Sequence, residues 1–341
     1  MNKDYSISCS RFIAVCSIVV CHIFMWRNLS VHSVLFGFDI EWSSWFNIGV
    51  QIFLFISGYL YGNKKVQTVK FYKKNYRKLL VDYYIFVTVM VLVYLLSSYS
   101  YMINAFKLVG LYTFTGLIDG LGNLWFMRPI IVCYFFTPFL LKLFDLIKKK
   151  SLLFWPTVIT LTVINHILVP YVFGPFIKPE WLFCFLFGII YRRVEDDGRI
   201  SAINLITIVI GFLSIPVEVM YINYPGMGMP GVLRAICSLY VEYGRVFLGA
   251  ALVIIIRTIY RKCVKRERHI ILDWSDKYSY DVYLVHHVFI ASQFALVEFI
   301  PVVWIELPLS LLMTIVSSVA LGKLSTYIRD HDVAIGKSVK V

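Results

Sequence analysis

An all-α, polytopic membrane protein with about ten transmembrane helices and both termini in the cytoplasm is the fold this sequence predicts. Three observations lead there. Of its 341 residues 59% are hydrophobic, and the mean hydropathy is +0.75, which is more apolar surface than a soluble domain of this length hides. Apolar runs recur along the whole chain at lengths near the roughly 20 residues a helix needs to cross a bilayer. The cations gather in alternate connections between those runs, as they do in cytoplasmic loops.

The runs follow in order. Residues 11–29 open on Arg11 and carry no small-x-small cleavage site, so this is a retained helix and not a signal peptide. Residues 44–62 hold Gly49, Ser57 and Gly58, small groups that let a neighbouring backbone approach closely. The polar loop 63–78 leads to a third run at 79–97. A half-span at 101–118 precedes the runs 124–146 and 153–173, and 179–191 is short enough for a re-entrant segment. The runs 203–221 and 233–256 are divided by YPGMGMPG, residues 224–231, a cluster of helix breakers. A second long polar loop, 257–278, leads to 279–297, and 303–322 closes the set. Both polar loops resemble short interfacial helices with basic faces. The outer loops 30–43, 98–122 and 222–232 are candidates for the mouth that admits an acceptor. No linker rich in Pro, Gly or Ser divides the chain, which reads as one domain over 1–341, with a membrane core at about 8–322 and a cytoplasmic tail at 323–341.

A net charge of +13 first suggests a nucleic-acid partner. The positions of the charges argue against it. Lys64, Lys65, Lys70, Lys73, Lys74, Arg77 and Lys78 follow the second run; Lys148, Lys149 and Lys150 the fourth; Arg192, Arg193 and Arg199 the sixth. Arg257, Arg261, Lys262, Lys265, Arg266 and Arg268 follow the eighth, and Lys323, Arg329, Lys337 and Lys340 the tenth. The alternate loops hold few, such as Arg27, Lys107 and Lys178. The excess is a topology signal, with a secondary capacity to attract an anionic cytosolic ligand. The seven cysteines form no CxxC pair and mostly fall inside apolar runs, so they read as small packing residues. No disulfide framework and no metal site are expected.

Chemistry concentrates in a few places. In RFIAVCSIVVCHIF, Arg11 and His22 are eleven residues apart. That is about three turns plus 20°, so both share one helix face, roughly 16 Å apart along it. Ionisable groups in hydrocarbon usually line a cavity or a reaction path. A neutral imidazole in a low-dielectric site serves as a general base near neutrality, or as a nucleophile that carries an acyl group; the residues alone do not choose between these. Arg11 suits a phosphate or another anion, or simple anchoring. Ser57 has no nucleophile elbow around it. FYKKNYRKLL, residues 71–80, serves either as an interfacial anchor or as a cradle for the phosphates of a cytosolic cofactor. In NLWFMRPIIVCYFFTPFL, residues 123–140, Arg128 lies inside an apolar stretch, where it snorkels or faces a polar cavity. SYDVYLVHHVF, residues 279–289, brings Asp281, His286 and His287, with His286 about seven residues inside the run and at a depth comparable to His22. Glu242 and Arg245 are spaced to pair on one helix, whereas Glu218 and His166 read as isolated, solvated groups.

Taken together these motifs resemble the membrane-bound acyltransferase 3 family. RFIAVCSIVVCHI carries that family's arginine and histidine separated by ten residues. GVQIFLFISGYL resembles its GVxLFFxxSGxL helix, FYKKNYRKLL the basic segment after it, NLWFM its LWFL-type helix and YDVYLVHH its YLxH motif. The resemblance runs in the family's order from about residue 8 to about 322. It implies an integral-membrane transferase that moves an acyl group, most often acetyl, from cytosolic acyl-CoA to a hydroxyl of a glycan. By carry-over His22 is catalytic. Arg11, Arg77, Lys73 and Lys74 are donor-side residues for CoA. His286, Ser57, Trp125 and Arg128 are secondary site residues. Gln51 stands where the family's second motif commonly has an acidic or small residue, which bears on the acceptor and not on the chemistry. The sequence is thus expected to encode a bacterial plasma-membrane O-acetyltransferase, with acetyl-CoA as co-substrate, no metal and a cell-surface or capsular polysaccharide or its lipid-linked precursor as acceptor. Its partners would be acyl-CoA, the glycan and membrane lipids, with no nucleic acid; homo-oligomers are compatible with it. Its rival is a glycan exporter without covalent chemistry.

Overall fold

The computed structural model describes residues 3–26, 32–35, 38–41, 45–147, 152–195, 200–223, 230–264 and 269–338. Arg27, Lys148, Lys149, Lys150, Arg199, Lys265, Arg266, Arg268, Lys340 and most of the breaker cluster at 224–231 lie outside them. The described chain is almost wholly helical. Its helices are α1 (Tyr5–Trp26), α2 (Gly49–Tyr61), α3 (Thr68–Leu96), α4 (Ala105–Tyr112), α5 (Met127–Leu146), α6 (Phe154–Phe173), α7 (Pro179–Val194), α8 (Ile200–Asn223), α9 (Gly231–Cys263), α10 (Ile270–Ala291) and α11 (Val303–Ser338). A short antiparallel hairpin, β1 (His32–Leu35) and β2 (Phe38–Glu41), pairs His32 with Glu41 and Leu35 with Phe38.

Every apolar run of the sequence holds a helix, but they are not equivalent. Seven are long and apolar enough to cross a membrane: α1, α3, α5 with its preceding turn, α6, α8, α9 and α11. The runs at 44–62, 179–191 and 279–297 fall short of that test for different reasons. The first two form helices of 13 and 16 residues, about 20 and 24 Å long. The third begins early, at Ile270, so α10 takes in Asp273, Asp276, Lys277 and Asp281. The polar loops also differ from expectation. Residues 68–78 are no separate interfacial helix but the opening turns of the 29-residue α3, and α9 continues through Arg257 and Arg261 to Cys263. Helices of 29 and 33 residues are about 44 and 50 Å long, more than the roughly 30 Å of hydrocarbon, so their basic turns extend past it.

The described chain divides into two compact units, residues 1–65 with 136–273, and residues 66–135 with 274–341. In the first unit α2 and α7 pack extensively, as do α8 and α9, and α1 lies on α2 and α9. Glycine sets the closest approach. A Cβ on Gly58 would meet the Phe185 carbonyl oxygen at 1.9 Å, and one on Gly188 would meet that of Phe55 at 2.2 Å, so α2 and α7 touch backbone to backbone. Proline opens α7 at Pro179; Glu180 lies in its first turn and Arg192 and Arg193 in its last, complementing the helix dipole at both ends.

Beyond the end of α7, Glu195 ties three helices of this unit together. Its carboxylate accepts from the Tyr59 hydroxyl at 2.5 Å, from Arg192 at 2.5 Å and from Arg257 at 2.8 Å. Arg257 is itself buried and donates to the Tyr59 hydroxyl at 2.7 Å. Asp4, ahead of α1, pairs with Arg261 at 2.6 Å. Burial alone would raise both carboxyls, but it is outweighed, at Glu195 by the Tyr59 hydrogen bond and the two arginines and at Asp4 by Ser6 and Arg261, so both sit below the usual range. A lowered folded-state value means stability that is present at neutral pH and lost as pH falls through that value. The unit should therefore lose thermal stability in acid below about pH 4.5, the ordinary carboxylate range. Glu195→Gln should flatten that dependence while lowering the melting temperature at pH 7; an unchanged acid limb in the variant would remove Glu195 from the account.

In the second unit α3 packs on α11 and α4. Asp82 pairs with Arg329, and Tyr83 donates to the Leu111 carbonyl at 2.6 Å. Tyr280 donates to the Leu79 carbonyl at 3.0 Å. A Cβ on Gly322 would crowd Asp281 at 2.7 Å, so α10 and α11 lie close there. Two polar readings from the sequence are corrected in the first unit: Arg245 of α9 pairs with Glu218 of α8 and not with Glu242, and His166 shares a 3.0 Å hydrogen bond with the Tyr243 hydroxyl.

Candidate functional site

Helix α1 presents Arg11 and His22 along one line, as the spacing requires. Buried neighbours flank that line: Ile7, Ala14 and Ile18 on one side, Ser8 and Val19 on the other. Counting about 100° per residue, Arg11 and His22 lie at about 0° and 20°, the flanks at about −60° to −20° and 60° to 80°. Of the exposed positions, Ile13 and Cys16 lie on the opposite face, whereas Met25 and Trp26, in the last turn beyond His22, lie on the line's own side. The line is thus turned to the interior of the unit, and both residues are half-buried. A polar stripe kept off the exposed face of a membrane helix has the placement of a functional one.

Packing fixes this orientation. A Cβ on Gly49 would meet the Ala14 carbonyl oxygen at 2.4 Å and the Ile18 side chain at 2.6 Å. Ser17 donates to the Phe46 carbonyl at 2.6 Å, and the rings of Phe24 and Phe46 stack at 5.6 Å. Residue 46 thus lies against 17–24 and residue 49 against 14–18, so α2 runs antiparallel to α1. Ser57, half-buried two turns beyond Gly49, therefore lies toward the Arg11 end of α1 and away from His22. The depth of the pair also differs from the sequence reading. Because α1 begins at Tyr5, Arg11 lies about 9 Å inside it and His22 about 6 Å from its far end.

The second unit holds the other predicted residues. Lys70, Lys73, Lys74, Arg77 and Lys78 recur at three- and four-residue steps and form one basic face at the start of α3. The opposite face is aromatic and packed. Tyr72 donates to the Phe135 carbonyl at 2.7 Å and stacks on the Phe135 ring, Tyr76 donates to the Ile131 carbonyl at 2.9 Å, and Phe71 meets Tyr134 edge-on. Held from behind, the basic face points outward: Lys73 and Lys74 are exposed, and Arg77, half-buried one turn further on, donates to the Arg329 carbonyl. The run FYKKNYRKLL is thus an anchor on one side and a cation array on the other.

NLWFM and YLVHH meet in this unit. Asn123 donates to the Tyr283 carbonyl at 2.8 Å, and the Tyr283 hydroxyl returns a hydrogen bond to the Asn123 carbonyl. The rings of Phe126 and Tyr283 lie 5.3 Å apart. Trp125 sits half-buried in the 3-10 turn Gly122–Phe126, and Arg128 half-buried in the first turn of α5. His286 is fully buried, and its Nδ1 reaches the Tyr283 and Val282 carbonyls of its own helix at 2.8 and 3.1 Å. His287 is half-buried, and its Nδ1 reaches the Gly120 carbonyl at 2.8 Å. A carbonyl accepts only from N–H, so both rings carry their proton on Nδ1. Gly120 adopts φ +83°, and a Cβ there would meet Ser292 at 2.4 Å, so the turn can close on α10 only with glycine.

Sequence reasoning passed over Asn123 and gave His286 more weight than His287. Neither has a spacing signal; only the fold shows that Asn123 joins two motifs and that His287 is the less buried imidazole. Among the described residues no group of three or more His, Cys, Asp or Glu side chains could hold a metal ion.

A family model described as an acyltransferase domain matches residues 4–323, nearly the whole chain. No curated protein and no solved structure matches it.

Proposed function

From the premise that the chain belongs to the acyltransferase 3 family, a family of membrane acyltransferases, we propose that it is an O-acetyltransferase that moves acetyl from cytosolic acetyl-CoA to a hydroxyl of a cell-surface glycan or its lipid-linked precursor. The observation that carries this reading is the Arg11–His22 line on the packed side of α1. The gathering of cations in alternate loops supports cytoplasmic termini, and the proposed acceptor implies a bacterial plasma-membrane location.

In this reading His22 accepts the proton of the acceptor hydroxyl as that oxygen attacks the thioester carbonyl. The tetrahedral intermediate collapses, the carbon–sulfur bond breaks, and the CoA thiolate takes the proton back from the imidazolium. The products are an ester and free CoA. In the alternative route the imidazole attacks first and carries the acetyl group. Arg11 contributes an anion contact on the donor side. The basic face of α3 matches the phosphates of CoA, with Arg77 as its fork and Lys73 and Lys74, one turn before it, as point charges.

The deciding experiment is acyl transfer by the purified, reconstituted protein supplied with labelled acetyl-CoA and host glycan. Release of CoA with label on glycan sustains the reading, and stable label on the protein selects the acyl-histidine route. No turnover with any short acyl-CoA would refute it. For Arg77→Ala we expect a donor KM raised about ten-fold or more, since charge-assisted contacts contribute roughly 1.5–3 kcal/mol, with kcat nearly unchanged. The donor KM of the wild type should also rise with salt. A KM that ignores both would place the phosphates elsewhere.

A further inference from the structure

The segment that the sequence reads as a tail from residue 323 is, in the second unit, the end of α11, which continues to Ser338. Arg329, near that end, engages α3 twice. Its guanidinium pairs with Asp82, and its backbone carbonyl accepts from Arg77. The same guanidinium donates to Thr326 of its own helix at 3.1 Å. Arg77 and Asp82 are five residues apart on α3, about 7.5 Å along its axis. One residue of α11 thus spans both.

The ion pair is no surface contact. The Asp82 side chain is 4% exposed and that of Arg329 20%. Desolvation offsets most of the Coulomb attraction of such a pair, so stability alone is a weak reason for it. What the pair does fix is the register of α11 on α3. A second carboxylate lies close by. Asp281 of α10 is buried, its Oδ1 has no hydrogen-bond partner among the described residues, and it faces α11 at Gly322, two turns before Arg329. Two buried carboxylates at this end of the unit disfavour a bound anion, and Arg329 neutralises one of them.

Arg77 is the fork that the donor reading assigns to the phosphates of CoA. A guanidinium on a flexible stem loses rotamer freedom when it binds a ligand. An anchor in place beforehand reduces that loss. A guanidinium carries five N–H donors, so a bond from one of them to a carbonyl is compatible with a phosphate at others. The carbonyl is a fixed anchor only where its helix is itself held, and Asp82 holds α11 at that very residue. We propose that Arg329 and Asp82 are positioning residues of the donor site: their pairing locks α11 on α3, so that the Arg329 carbonyl presents Arg77 to the CoA phosphates. The inference rests on the donor reading of the α3 face.

The test uses the full-length protein in mild detergent. CoA affinity is read by titration calorimetry with CoA itself, and turnover with labelled acetyl-CoA and host glycan. Arg329→Gln should weaken CoA binding and raise the donor KM about three- to ten-fold, the factor that ordering one long side chain represents, with kcat nearly unchanged. Arg329→Lys can keep a single-point pair with Asp82 and should stay within about two-fold of wild type. Asp82→Arg combined with Arg329→Asp restores the pair in reverse. Because the anchor is a backbone carbonyl, that exchange should recover most of the lost affinity. Arg77→Ala combined with Arg329→Gln should bind no more weakly than Arg77→Ala alone, since Arg329 acts through Arg77. Lys323→Gln, at an exposed cation of the same helix, also removes one charge and should leave the affinity nearly unchanged.

Unchanged CoA affinity in Arg329→Gln, or additive losses in the double variant, would overturn the positioning role and leave the donor reading standing. A wild type that binds no CoA would overturn both. Should Arg329→Gln fail to fold, the reversed pair decides: affinity near wild type supports the anchor, and affinity as low as that of Arg77→Ala refutes it.

Discussion

His22→Ala is expected to lower acyl transfer by about 10²–10⁴-fold, the usual contribution of a positioned general acid–base group. The loss should fall on kcat, with the KM for acetyl-CoA within a few-fold of wild type, because the imidazole acts on the acceptor proton and not on the donor phosphates. The wild-type rate should decline in acid, where the imidazole is protonated and no longer a base, and the variant should lack that limb. Glycan export should continue in cells carrying the variant. Activity retained within about three-fold would remove His22 from the chemistry. Loss of export with acylation intact would favour the transport reading. Arg11→Ala separates the two ends of the line: it should raise the donor KM and leave the acid limb in place.

The largest structural effect is expected at the α2–α7 crossing. A Cβ on Gly188 would sit 2.2 Å from the Phe55 carbonyl oxygen and 2.8 Å from the Tyr59 nitrogen, and one on Gly58 would sit 1.9 Å from the Phe185 carbonyl oxygen. These neighbours are backbone, so relief requires the helices to separate. Overpacking typically costs 1–3 kcal/mol, and Gly188→Leu should reach or exceed about 3 kcal/mol because it loses every close contact along the crossing. Gly188→Ala should cost less but remain clearly destabilising. The measurement is unfolding in detergent followed by melting temperature. Both glycines act on one crossing, so Gly58→Ala combined with Gly188→Ala should cost less than the sum of the singles. Strict additivity, or a neutral Gly188→Ala, would mean that the helices do not meet there.

The sequence reading carries well where it depends on local periodicity. Arg11 and His22 share a face because helix geometry puts residues eleven apart on one line, whatever surrounds them. The basic and aromatic faces of FYKKNYRKLL follow from the same rule. The reading slips where it depends on helix ends. It opened the first run at Arg11, whereas α1 starts at Tyr5, which moves Arg11 inward and His22 toward the far end. It made 63–78 a separate short interfacial helix because charge breaks a hydropathy run, although charge does not break a helix. It paired Arg245 with Glu242 because only neighbours in sequence were in view; the actual partner, Glu218, comes from another helix.

By itself, then, the sequence determined the membrane class, the family, the helical run order and the Arg11–His22 line, all of which rest on composition, motif order and a fixed rise and turn per residue. Tertiary structure alone decided which side of α1 that line faces, that Ser57 lies toward Arg11, that Asn123 and Gly120 join the NLWFM and YLVHH motifs, and that Arg329 engages both Arg77 and Asp82. Those facts depend on which side chains leave room for a neighbouring backbone and which polar groups find partners far along the chain, and no local pattern records a contact made between separate helices.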